Sequence, residues 1–169
     1  AIDVRRATPK ESFKSLDDKD HVLEDSMLVI ADRKKAVALA GVMGGANSEI
    51  TDATTTVVFE SACFLGASVR ITAKKLGMRT DSSARFEKGL DCENTLGAID
   101  RACELITLLG AGETVEGTID VYPVKKKVTV LPLEADRINR FLGVSLTEDY
   151  MADILRSLDF KVEDGKVYA

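Results

Sequence analysis

The spacing of apolar residues changes along the chain, and each change marks an element. Near the start, IDVRRA alternates as a half-buried strand does. LDDKD (16–20) reads as a turn. MLVIAD (27–32) and AVALAG (36–41) are apolar runs of strand length joined by charged RKK. That is the pattern of a hairpin buried on both faces. TTTVVFESA (54–62) is rich in β-branched residues and predicts a further strand. The period then becomes helical. GASVRITAKKLG (66–77) puts Val69, Ala73 and Leu76 on one face and stops at Gly77. DCENTLGAIDRACELITLLGAG (91–112) predicts the longest helix. Asp91 is its N-cap and Glu93 sits in the first turn, where the helix dipole favours acid. Leu96, Ile99, Ala102, Cys103, Ile106 and Leu109 form its apolar stripe, and Gly110 ends it. TVEGTIDVY (114–122) predicts a strand stopped by Pro123.

A composition shift at PVKKK (123–127) separates the remaining residues from this first stretch. KVTVLP predicts a short strand. LEADRINRFLG and TEDYMADILRSLD predict two amphipathic helices around VSL, with Thr147 as an N-cap. FKVEDGKVYA predicts a hairpin turning at Asp164-Gly165. The apolar positions here are few for a core, so a second, incomplete domain is expected. The expected organisation is a first domain over 1–123, a linker at 124–127 and an incomplete small α+β domain over 128–169.

Composition narrows the class. The chain has 169 residues, 45% hydrophobic and 30% charged, the balance of a soluble globular protein. No apolar run reaches the ~18 residues of a membrane span, and AIDVRRATPK lacks the apolar segment of a signal peptide. Cys63, Cys92 and Cys103 are odd in number and far apart in sequence, with no CxxC pair, and His21 is the lone histidine. No metal site is expected, and a reducing compartment, the cytoplasm, follows. The net charge of −5 argues against a surface that grips nucleic acid everywhere. Arg70, Lys74, Lys75, Arg79, Arg85 and Lys88 nonetheless fall close together, either as a solvated helix face or as a local basic patch.

Three stretches carry candidate chemistry. In AGVMGG (40–45) the glycines either turn a corner or keep the backbone bare for a ligand at Gly44 and Gly45. The run has neither dinucleotide-binding nor P-loop spacing. Glu60 ends an apolar strand pattern, and is either solvent-facing or a buried acceptor that needs a partner. LGMRTDSSARFEKGLD (76–91) is either the edge of a polar pocket or a loop in which Thr80 or Asp81 caps a short helix at 83–88. No nucleophile–base motif is present.

Together LVIAD…AVALAGVMGGANSEITDATTTVVFESACF, RITAKKLGMRTDSSARFEKGLD and AIDRACELI resemble the B3/B4 region of bacterial phenylalanyl-tRNA synthetase β subunits. RINRFLGVSL…ILRSLDFKV resembles the start of the B5 domain that follows it there. The resemblance implies an α+β fold with a β-sandwich-like core and outer helices, and a piece of a much longer subunit. It implies an editing module that hydrolyses tyrosine wrongly esterified to phenylalanine tRNA. Glu60 would recognise the phenol, Gly44 would line the pocket and leave room for the ring, and Thr80 and Ser82 would lie toward the amino-acid and adenosine end. An oxyanion would be met by Thr80 and by backbone near Gly45, with a positioned water as nucleophile. Arg70, Lys74, Lys75, Arg79 and Arg85 would guide the tRNA. The family further implies an α-subunit partner in an α2β2 assembly, with ATP and Mg serving the whole synthetase and no cofactor in this piece. Ser82 stands where the family commonly has alanine, and CFLGAS replaces the usual FFxPxS. The arginine and histidine that line the family's pocket lie upstream of this stretch, and His21 does not match that histidine. Two other roles fit the same residues: a non-catalytic scaffold that positions tRNA, and a free-standing trans-editing deacylase.

Overall fold

A computed structural model describes residues 1–169. It divides into two compact units, Ala1–Val115 and Glu116–Ala169. The class is mixed helix and antiparallel sheet, as the pattern predicts.

The first unit is organised by the two apolar runs. Strand β1 (Asp3–Arg6) leads into a small ladder of β2 (Ser12–Lys14) and β3 (Asp20–Val22). The predicted hairpin comes next as β4 (Leu28–Ala31) and β5 (Ala36–Leu39), and β6 (Met43–Gly44) completes a four-stranded antiparallel sheet of order β1-β4-β5-β6. Val29 pairs across to Leu39, and both are almost wholly buried. Arg5 and Glu11 tie the first strand to the next loop. The guanidinium donates to both carboxylate oxygens, at 2.8 and 2.9 Å, and the Thr8 N–H adds a third bond at 2.8 Å. These bonds, that to Arg5 foremost, lower the Glu11 pKa from 4.5 to about 2.

Helix α1 (Gly66–Lys75) buries Val69 and Ala73 against this sheet, in one cluster with Phe13, Leu23, Met27, Val29, Leu39 and Val42. Leu76 packs on its edge, as its spacing predicts. Gly77 takes φ +64°, and the next amide, Met78, donates back to the Ala73 carbonyl. Helix α2 (Asp81–Phe86) comes after it, with Thr80 as its N-cap. A 3-10 turn over Cys92–Asn94, capped by Asp91, opens helix α3 (Thr95–Leu108).

The structure corrects two strands and one stripe. Residues 54–62 and 114–122 form no strand. Their β-branched side chains favour extended backbone, but a strand also needs a ladder partner, and neither segment has one. Val58 and Ile119 are accordingly 77% and 95% exposed. The α3 stripe is only partly covered: Ile99, Ala102, Cys103 and Ile106 are half-buried, while Leu96 and Leu109 are exposed.

In the second unit β7 (Val130–Pro132), β8 (Lys161–Glu163) and β9 (Lys166–Tyr168) form a sheet of order β7-β9-β8. Helices α4 (Ala135–Leu142) and α5 (Glu148–Ser157) lie between β7 and β8 in the chain. Thr147 caps α5, and Asp164 and Gly165 both take positive φ at the hairpin turn. Leu133, Met151, Ala152, Val162 and Val167 make a small core of their own, more than the apolar content of this stretch predicts.

Candidate functional site

An open cleft of about 530 Å³ lies beside the β4–β5–β6 sheet. Ile30, Ala38, Met43 and Gly44 of the sheet line it, and Phe86 adds an aromatic wall. Glu60 comes from the extended segment before α1, and Thr80, Asp81 and Ser82 come from the start of α2. Four residues singled out in the sequence, Gly44, Glu60, Thr80 and Ser82, thus meet in one cleft although they span 39 positions of chain.

The glycine run explains how the sheet can form this wall. Val42 donates to the Leu39 carbonyl at 3.0 Å, closing a turn in which Gly41 has φ +69°. A side chain there would be strained. Gly45 serves close packing. Its N–H donates to the Val37 carbonyl at 2.8 Å, and a Cβ would stand 2.7 Å from that same oxygen. Gly45 is buried and its amide is engaged within the sheet. A Cβ on Gly44 would meet the Leu16 side chain at 2.8 Å. The space saved at Gly44 is taken up by Leu16 as well as bordering the cleft.

The start of α2 is clasped to this turn. The Thr80 hydroxyl donates to the Val42 carbonyl at 2.7 Å and accepts from the Ser83 amide at 3.0 Å. The Ser83 hydroxyl in turn accepts from the Thr80 amide, completing a capping box. Ser82 donates to the Gly41 carbonyl at 3.1 Å. The Thr80 hydroxyl, singled out as an oxyanion donor, gives its proton to the Val42 carbonyl here. The Ser82 hydroxyl likewise turns toward backbone.

Glu60 is different. It makes no hydrogen bond and no ion pair. The residue is solvent-reachable as a whole, yet burial around its carboxyl pushes the pKa above the ordinary 4.5. It is an acceptor on the border of the cleft without a protein donor. Asp81 is a second carboxylate in the cleft, where the sequence pattern suggests only a cap. Its place beside Thr80 in RTDSS is the available signal. No group of three or more His, Cys, Asp or Glu side chains converges to hold a metal ion.

The basic residues do not enter the cleft. Arg70, Lys74 and Lys75 lie on α1, Arg79 on the loop after it, Arg85 on α2 and Lys88 just beyond. Lys75 pairs with Glu24, and the other five make no ion pair. The structure also makes one side-chain pair that the sequence hides. Ser15 Oγ lies 3.0 Å from His21 Nε2, but it is wholly buried and also engaged by Asp17 and the Lys19 carbonyl. It locks the β2–β3 turn rather than offering a nucleophile. Cys63 Sγ donates to the Leu90 carbonyl at 3.2 Å.

The B3/4 domain family model matches residues 1–111. The phenylalanine–tRNA ligase beta subunit of Geobacter metallireducens is 47% identical over 161 residues, which cover 95% of this chain and 20% of that subunit. The same subunit of Carboxydothermus hydrogenoformans is 46% identical over 166 residues, 98% of this chain and 21% of its own. That of Clostridium acetobutylicum is 41% identical over 162 residues, 96% and 20%. The chain spans about a fifth of the length of these relatives. No helix is long and apolar enough to cross a membrane.

Proposed function

The chain belongs to the B3/4 domain family, and from that premise we propose that it is a piece of a phenylalanine–tRNA ligase β subunit whose cleft hydrolyses tyrosyl-tRNA(Phe). The observation that carries this reading is Glu60: a desolvated carboxyl without a donor, in one cleft with Gly44, Thr80 and Ser82. The tyrosine phenol supplies the missing donor. Phenylalanine does not, and would leave the acceptor unpaired. A site built around a substrate hydroxyl can reject the analogue lacking it by as much as ~10⁴-fold.

The ring lies against Met43, Phe86 and the sheet, and the ester points toward the start of α2. Water attacks the ester carbonyl, the bond to the ribose oxygen breaks, and tyrosine and free tRNA leave. With the Thr80 hydroxyl and the Gly45 amide engaged elsewhere, the gain comes from holding ester and water in register. Thr80 and Ser82 contribute by fixing the turn that forms the wall. Arg70, Lys74, Arg79 and Arg85 offer unpaired charge to the tRNA backbone.

In this reading the chain works in the cytoplasm within an α2β2 ligase. ATP and Mg²⁺ serve ligation there and not the ester hydrolysis. The upstream part of the same subunit completes a β-sandwich-like B3/B4 core, and residues 128–169 begin a B5-like domain. The engaged hydroxyl and amide favour one second reading, a module that positions tRNA without hydrolysis. Presenting the intact ligase with tyrosyl- and phenylalanyl-tRNA(Phe) separates them. Rapid release of tyrosine with phenylalanine retained is expected. Equal persistence of both esters would select the second reading.

A further inference from the structure

Glu60 and Asp81 are the ionisable side chains on the cleft wall, and no Lys, Arg or His lines it. Its hydroxyls are already in use: Thr80 donates to the Val42 carbonyl and Ser82 to the Gly41 carbonyl. A ligand therefore meets two carboxylates and no cation. Asp81 opens α2, but Thr80 and Ser83 make the capping bonds of that helix. The Asp81 carboxylate is left exposed at the rim, with no hydrogen bond and no ion pair. The two carboxylates sit at different places in the chain, Glu60 before α1 and Asp81 at the start of α2. A substrate that satisfies both presents a donor at each end, and carries no anion between them.

An aminoacyl ester of tyrosine has that form. Its phenol is a neutral donor, and its amino group is a cationic one on the carbon next to the ester carbonyl. With the phenol at Glu60 and the ester toward α2, the amino group is delivered to the Asp81 end. Resting on the tyrosyl-ester reading above, we propose that Asp81 binds the α-ammonium group of the substrate. The cleft then selects esters of amino acids with a free, cationic amino group, and disfavours hydroxy-acid and N-blocked esters that carry the same phenol. An acid in a first helical turn also gains from the helix dipole without any ligand. That role alone would make the loss of Asp81 fall on every substrate alike.

The test uses the intact ligase at about pH 6.5, where an α-amino group is protonated. Phenylalanine charging serves as the check on folding. One substrate is tyrosyl-tRNA(Phe). The other is 3-(4-hydroxyphenyl)lactyl-tRNA(Phe), in which a neutral hydroxyl of similar size replaces the ammonium group. The esters differ in intrinsic reactivity, so each is compared between the wild type and Asp81→Asn. For the tyrosyl ester kcat/KM is expected to fall roughly tenfold, the loss of one charge-assisted bond. For the hydroxy-acid ester it is expected to stay within about twofold. An unchanged rate on the tyrosyl ester, or an equal loss on both esters, would overturn the proposal and leave the editing reading standing. No release of tyrosine by the wild type would overturn the editing reading itself, and this proposal with it.

Discussion

Replacing Thr80 by valine removes a hydroxyl while keeping the shape of the side chain. The hydroxyl makes two bonds, one to the Val42 carbonyl and one from the Ser83 amide. The cap contributes about 1 kcal/mol. The bond to Val42 contributes about as much, and because Val42 is 2% exposed, losing it strands a buried acceptor at a further ~1–2 kcal/mol. Thr80→Val should therefore cost about 3–4 kcal/mol. Thr80→Ser keeps both bonds and loses one methyl, about 0.8 kcal/mol. With a urea slope of ~2 kcal/mol per molar, the valine variant should unfold at roughly 1.5–2 M lower urea, with the slope unchanged. Far-UV circular dichroism follows the transition. Tyrosine fluorescence supplies the control, since Tyr122, Tyr150 and Tyr168 all lie in the second unit and should report no shift. Equal midpoints for the valine and serine variants would refute the clasp between α2 and the glycine turn.

Glu11, with its pKa lowered from 4.5 to about 2, adds stability above pH 4.5 that is lost as pH falls toward 2. Allowing for solvent around Arg5, that is about 1–2 kcal/mol, so Glu11→Gln should lower the thermal midpoint at pH 7 and flatten its acid dependence; an unchanged acid limb would contradict the fork. Gly45→Ala places a Cβ against the Val37 carbonyl and should cost about 1–3 kcal/mol in urea unfolding. Gly44→Ala meets only the flexible end of Leu16 and should stay within about 0.5 kcal/mol. Leu39→Ala empties a wholly buried site opposite Val29 and should cost about 2–5 kcal/mol; a smaller loss would mean the sheet collapses onto the gap.

Local signals are legible where local chemistry decides. The β4–β5 hairpin, the stop at Gly77, the cap at Thr147 and the Asp164-Gly165 turn follow from apolar runs, capping side chains and positive φ. The segments 54–62 and 114–122 mislead because a strand is made by its neighbour, and residue type cannot supply one. In the cleft, Gly44, Glu60, Thr80 and Ser82 are each odd enough to single out, and the fold brings them together. What their atoms do is not legible. Whether the Thr80 proton is free depends on where the Val42 carbonyl lies, 38 residues away in sequence.

The central claim is that Glu60 selects tyrosine. The direct measurement is hydrolysis of tyrosyl-tRNA(Phe) by the intact ligase carrying Glu60→Ala, with phenylalanine charging measured alongside. The account predicts that hydrolysis is lost and charging is kept. Hydrolysis at the wild-type rate would contradict it and leave Glu60 as a carboxylate without a role in selection.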